Sequence, residues 1–110
     1  MTISEKDWKL FRSKLPGWQE AYMEKLIQEY RELLSGPEPA SERFWALHDR
    51  IKADKRHPGV IMEMRRSILY ENLLRLLFEG VISLKDLEGF SEELKEVIRF
   101  IVERESKVSE

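Results

Sequence analysis

An all-α fold is predicted by three features of this 110-residue chain. Apolar residues recur at spacings of three and four in successive segments. No stretch alternates with period two over a useful length, and the segments are bounded by Ser, Asp, Gly and Pro where helices start and stop. At this length one domain is expected, burying roughly two-thirds of the surface that the unfolded chain exposes. Apolar residues make up 42% and charged residues 36%, a balance typical of amphipathic helices with solvated outer faces and too apolar for intrinsic disorder. The expected architecture is a single-domain bundle of about five helices over residues 1–103, organised around a central helix at 59–79, with 104–110 as a charged, fraying tail.

The first helix starts at Ser4, whose side chain can accept from the free amides of the first turn, and Asp7 suits the helix dipole there. Trp8, Phe11 and Leu15 form its buried stripe, and the run Leu15, Pro16, Gly17 is expected to end it. A second helix spans roughly Trp18 to Ser35, where Tyr22, Met23, Leu26, Ile27, Tyr30, Leu33 and Leu34 recur with helical period. Gly36 closes it, and Pro37 to Ala40 form a stiff turn. Ser41 caps a third helix whose expected buried face is Phe44, Trp45, His48 and Ile51, and whose end is polar all round before Pro58 stops it.

The central helix is opened by Pro58 and Gly59 and closed by Gly80. On a wheel of 100° per residue, Met62, Leu69, Leu73, Leu76 and Leu77 share one stripe, widened by Val60, Leu74 and Phe78. Ile61, Met64 and Ile68 fall nearly opposite, so this helix is expected to be covered on two sides. Ser83 and Asp86 make a capping arrangement for a brief turn carrying Leu84 and Leu87, which Gly89 breaks. Phe90, before the cap Ser91, is placed to staple onto a last helix with the stripe Leu94, Val97, Ile98, Ile101 and Val102.

Composition excludes several chemistries. With no cysteine, disulfides, thiolate metal sites and thiol nucleophiles are all absent. Ser4, Glu5, Lys6 and Asp7 stand where a signal peptide needs a basic segment and an apolar run, and no window approaches the roughly 18 uninterrupted apolar residues of a membrane span. A soluble cytoplasmic protein is therefore expected. The net charge of −2 implies no partner by itself, but it is unevenly spread. Residues 50–66 hold six basic and two acidic side chains, a local +4, and residues 83–110 hold five basic and eight acidic, a local −3.

The candidate site residues follow from this distribution. On the expected central helix Arg66 projects inside the apolar stripe, where a guanidinium is either paired with a carboxylate or forms an anion site; Tyr70 lies within reach, and His48 is the remaining polar group that would line such a pocket. Buried charges usually find protein partners, so the ion pair is expected ahead of the anion site. His48 and His57 point in opposite directions on a helix and cannot share a metal, and no serine stands in a nucleophile-elbow pattern, so no catalytic pair, metal or cofactor is expected. The glycines are isolated, which excludes a phosphate loop, and the register Asp86, Glu88, Gly89 fails the calcium-loop pattern. Lys55, Arg56 and Arg65 form a basic face. Phe100 lies off the apolar stripe of the last helix beside Glu93 and Glu96, as a contact with a second subunit or another protein would require.

The runs FRSKLPGWQE (Phe11 to Glu20), HPGVIMEMRRS (His57 to Ser67) and EGVISLKDLEGFSEELKE (Glu79 to Glu96) together resemble a family of small uncharacterised α-helical proteins of Gram-positive bacteria, and the resemblance covers most of the chain. Some members carry the label "multidrug transporter", which the amphipathic helices here contradict. The resemblance implies a bacterial cytoplasmic protein and brings no catalytic motif. The expected function is a non-enzymatic protein-interaction or regulatory module, with another protein or a second copy as partner. The alternatives are a small nucleic-acid-associated protein using the basic segment 50–66, disfavoured by the overall acidity and by the expected burial of Trp45, and a ligand-binding bundle using Arg66.

Overall fold

The computed structural model describes residues 2–109, with side chains to residue 106. Among the described residues there are four α-helices, α1 (Glu5–Leu34), α2 (Ala40–Asp54), α3 (Leu69–Phe78) and α4 (Glu92–Ser109), two short 3-10 turns at Arg66–Ile68 and Leu84–Leu87, and no strand. The all-α class agrees with expectation, while the number and bounds of the helices do not.

Helix α1 begins as its sequence dictates, with the Asp7 amide donating to Ser4 Oγ at 3.1 Å. It then runs unbroken through Pro16 to Leu34, so the two N-terminal helices expected from the Leu15, Pro16, Gly17 run are one. Proline removes the amide that would bond to the Arg12 carbonyl, but Arg12 and Pro16 lie on the exposed side, where water meets that carbonyl. Phe11 and Leu15 on one side of the proline and the packed Trp18 on the other hold both halves against the same core. Packing thus outweighs a local penalty of about 3 kcal/mol.

The core is built from the first half of α1, from α3 and from α4. Phe11, Leu69, Leu73, Leu76, Leu94 and Ile98 are fully buried there, with Leu87 and Phe90 sealing one side. Asp7 stitches the chain ends together: its Oδ1 accepts from the Ser91 amide at 2.8 Å and its Oδ2 from Ser91 Oγ at 2.6 Å, while Ser91 Oγ accepts from the Leu94 amide and caps α4. The Ser83 and Asp86 capping box is present, and Phe90 is buried in the core beside its cap. Helix α4 continues to Ser109, through the stretch expected to fray; Glu110 lies outside the described residues.

The central helix is shorter than expected. After α2 the chain turns at His57, whose carbonyl accepts from the Val60 and Ile61 amides, and residues 61–65 are irregular before α3 proper begins at Leu69. The buried Asn72 side chain donates to the Glu63 carbonyl at 2.9 Å, holding that irregular segment along α3. The local turn at His57 and the reach of Asn72 back to Glu63 displace the helical pairing that the apolar pattern of 60–68 suggests. At its other end α3 closes as Gly80 predicts: with φ +74° at Gly80, the Gly80 amide bonds to Leu77 and the Val81 amide to Leu76, the paired bonds of a glycine-capped helix end.

Helix α1 has 30 residues and is about 45 Å long at 1.5 Å per residue. Its second half leaves the core and pairs with α2 as a helical hairpin. The radius of gyration, 17.0 Å, reflects this; a compact chain of this length would have about 13 Å.

Candidate functional site

The α1/α2 hairpin is held together by polar side chains. Tyr30 Oη donates to Asp54 Oδ2 at 2.5 Å, Arg50 Nη2 donates to Glu29 Oε1 at 2.7 Å, and Arg50 Nε lies 3.2 Å from the same Asp54 oxygen. At the loop end, the Arg43 guanidinium donates to the carbonyls of Leu34 and Glu38, both at 2.8 Å. Arg43, Leu47, Arg50 and Asp54 follow one another at four, three and four residues, so they form one stripe, and that stripe faces α1. Each of the four is half-buried.

This arrangement overturns the expected burial of the third helix. No residue of α2 is buried; Phe44, Trp45, His48 and Ile51 face outward, with Phe44 63% and Trp45 58% exposed. The physical cause is the face chosen by Arg43, Arg50 and Asp54, which places the aromatic face on the far side. The expected Ser41 cap is also absent: α2 starts at Ala40 and its N-cap is Pro39, without a side-chain bond. The exposed rings contact each other edge to face, Phe44 on Trp45 at 5.1 Å and Trp45 on His48 at 5.5 Å between centroids.

Among the described residues from 16 to 54, Leu26 is the single buried one. Of the ten large apolar residues exposed among the described residues, five (Ile27, Leu34, Phe44, Trp45 and Ile51) belong to this hairpin. Between the two helices runs a groove of about 170 Å³ lined by Met23, Leu26, Ile27, Tyr30, Ile51, Asp54, Lys55 and Val60. A neighbouring depression is lined by His48, Ile51, Lys52 and Lys55. The floor of the groove is apolar, and Lys52 and Lys55 stand at its margin.

The base of the hairpin is fixed by the turn after α2. The Gly59 amide donates to His57 Nδ1 at 3.0 Å, which places the imidazole proton on Nε2, 3.3 Å from Tyr22 Oη and 3.4 Å from Glu79 Oε2. The Tyr22 and His57 rings stack at 4.5 Å with 2° between their planes, and Gln19 Nε2 donates to the Pro58 carbonyl. Gly59 is buried directly under this stack: a Cβ there would sit 2.2 Å from Tyr22 Cδ1. Replacing Gly59 by alanine is therefore expected to cost about 1–3 kcal/mol through overpacking, measured as a lowered urea midpoint with an unchanged m-value.

The hairpin network also has a pH signature. Burial, and then the hydrogen bond and negative charge of Asp54, push the Tyr30 phenol up from 10.0 to about 12. The unfolded chain releases this proton first, so the stabilisation is complete below pH 10 and is lost as the pH rises through about 12. Titration by tyrosinate absorbance should show a late step near pH 12 that Tyr30→Phe removes.

The remaining sequence candidates lie elsewhere. Arg66 is not inside an apolar stripe. It opens the 3-10 turn before α3, is half-exposed, and donates to Glu5 Oε2 at 2.6 Å and to the Ile3 carbonyl at 2.7 Å. A carboxylate of the same chain thus holds it as scaffold. Tyr70 is half-buried against the core, its phenol pushed up by burial and by Glu93 and Asp7, whereas His48 stands on the outside of α2 beside Asp49. Arg50, Arg65 and Arg66 are paired with Glu29, Glu63 and Glu5, so three of the six basic residues of segment 50–66 meet carboxylates of α1 or of the segment itself. Lys55 is exposed at the hairpin groove, Arg56 is exposed beside Asp49, Lys52 and Ala53 on the outer side of α2, and Phe100 is exposed on α4.

Comparison with protein-family models, with curated proteins and with solved structures finds no match. Among the described residues no cluster of three or more His, Asp or Glu is placed to hold a metal, no helix is long and apolar enough to cross a membrane, and every buried side-chain nitrogen and oxygen has a hydrogen-bond partner. The residues that sequence reasoning missed as a surface are Ile27, Leu34, Phe44, Trp45 and Ile51. Their signal was the polar stripe Arg43, Arg50 and Asp54 at helical spacing, which competes with the aromatic stripe for the inward position.

Proposed function

We propose that this chain is a non-enzymatic protein-interaction module whose docking surface is the exposed face of the α1/α2 hairpin. The observation that carries this reading is that α2 contributes no buried residue while its aromatic and aliphatic side chains stand in solvent. Leaving such a stripe uncovered has no structural benefit, since the hairpin is already closed by its polar network, and contiguous exposed apolar surface of this kind marks sites where another chain packs. Trp and Phe at the centre of the stripe are the residue types that dominate binding energy when a partner desolvates them. The basic residues Lys52 and Lys55 border the same surface and supply orientation.

Photocrosslinking from position 45, set against a control position on the buried side of α4, tests the proposal. A discrete crosslinked protein, either a copy of the chain or a different one, is expected from position 45 in the native host. Recovery of the uncrosslinked chain alone would remove the docking role.

A second reading is supported by the exposure of Trp45 two helical turns from Lys52, an arrangement on which single-stranded nucleic acid can stack and pair its phosphates. Glu42 and Asp49 flank the same tryptophan on the helix wheel, and the aliphatic residues Ile27, Leu34 and Ile51 offer no stacking surface, so the protein-docking reading is favoured. Titration of labelled oligonucleotides at low ionic strength decides between them: no binding below tens of micromolar eliminates the nucleic-acid reading.

A further inference from the structure

We infer that the partner covering the hairpin face is a second copy of the same chain, packed groove to groove so that the two hairpins form a four-helix bundle. This rests on the docking role just proposed and names its occupant.

The face is built in layers. Ile27 and Leu34 are seven residues apart on α1, and Phe44 and Ile51 are seven apart on α2, so each pair lies on one side of its helix, about 10 Å apart. The hairpin sets the two helices level with each other. Ile27 and Ile51 line one groove, and the bond from Arg43 to the Leu34 carbonyl brings the neighbouring Phe44 to the height of Leu34. The result is two apolar rungs, Ile27 with Ile51 and Leu34 with Phe44, all four exposed. A seven-residue spacing of apolar rungs on two antiparallel helices is half of a four-helix bundle. An identical half supplies rungs at the same spacing.

Charge selects how the halves meet. Beyond the apolar rungs, the outer edge of α1 carries Glu20 and Glu24, with Arg31 about two turns further, and the outer edge of α2 carries His48, Lys52 and Lys55. A two-fold axis perpendicular to the helices would set α1 against α1 and α2 against α2, so that Glu20 and Glu24 meet only the partner's α1 and Lys52 and Lys55 only its α2. A two-fold axis along the bundle sets α1 of one protomer against α2 of the other, antiparallel and at the same height. Glu24 then faces Lys55, every neighbouring pair of helices is antiparallel, and the contact closes on itself without open ends. The second arrangement is the one inferred. The pairing also covers four large apolar side chains from each copy, which a single-helix contact through Phe100 on α4 would not.

Light scattering and sedimentation of the full chain at tens of micromolar test this. A dimer is expected. Phe44→Glu combined with Ile51→Glu should weaken it by at least about a hundredfold, because a charge enters each apolar rung, with helical circular dichroism unchanged. Glu24→Lys and Lys55→Glu should each weaken it by about tenfold, and the double variant should recover most of the loss, since each pair is re-formed across the two-fold axis. A chain that stays monomeric at these concentrations overturns the inference, as does a dimer broken by Phe100→Ser and not by the Phe44 and Ile51 changes. If the chain is monomeric yet crosslinks from position 45 to a different protein, the docking role stands and the self-association falls.

Discussion

Phe11→Ala is expected to lower the unfolding free energy by about 3–5 kcal/mol, a large part of the roughly 5–15 kcal/mol available to a domain of this size. Phe11 is fully buried, stacked with Trp8 at 6.1 Å, edge-on to Trp18 at 6.3 Å, and packed in the cluster that joins α1 to α3 and α4. Truncation removes the ring from a site where three elements meet, and neither tryptophan can close the gap without leaving its own contacts. Urea denaturation followed by tryptophan fluorescence should show the midpoint fall sharply. The same truncation at Phe44, which is 63% exposed, is expected to change the stability of the monomer by no more than about 0.5 kcal/mol. Two phenylalanines of one chain thus divide between holding the fold and standing in solvent.

Asp7→Ala is expected to cost about 2–4 kcal/mol. The carboxylate is buried and accepts from both the amide and the hydroxyl of Ser91. Alanine leaves that amide and hydroxyl without their acceptor inside the protein and loosens the hydroxyl that caps α4. Asn at position 7 keeps one acceptor for the Ser91 amide and offers an N–H to Ser91 Oγ, so Asp7→Asn should recover at least half of the loss. Thermal unfolding of the three proteins at one pH separates these outcomes. Equal destabilisation by Asn and Ala would show that the buried junction depends on the carboxylate charge and not on the geometry of its hydrogen bonds.

Much of the fold was legible because its determinants are local. The Ser4 cap, the Ser83 and Asp86 box and the glycine stop at Gly80 each depend on residues within a few positions of one another, and the stripes of α3 and α4 are strong enough to survive any neighbour. The continuity of α1 was not legible, since the cost of Pro16 is written in the sequence while the packing of Phe11, Leu15 and Trp18 that offsets it is not. The late start of α3 depends on the Asn72 bond to the Glu63 carbonyl and on the turn at His57, neither of which the helical period of the apolar residues reveals.

The candidate site was legible in its residues and not in its orientation. Phe44, Trp45, His48 and Ile51 form a visible stripe, and an apolar stripe says that a helix face is to be covered. It does not say whether the cover comes from the same chain. That was decided by Arg50 and Asp54, which meet Glu29 and Tyr30 on α1 and turn the opposite face inward. Arg66 shows the converse: its significance depended on a central helix starting ten residues earlier than it does, and with α3 beginning at Leu69 it becomes an anchor for Glu5 near the N-terminus.

The proposed docking surface exists only because the aromatic face of α2 is turned outward. Urea unfolding of the combined variant Phe44→Ser, Trp45→Ser, Ile51→Ser, at concentrations low enough to keep the chain monomeric, tests it most directly. The structure predicts full helical content and an unfolding free energy within about 1 kcal/mol of the parent. A loss of more than about 3 kcal/mol, the signature of three side chains taken from a core, would contradict it.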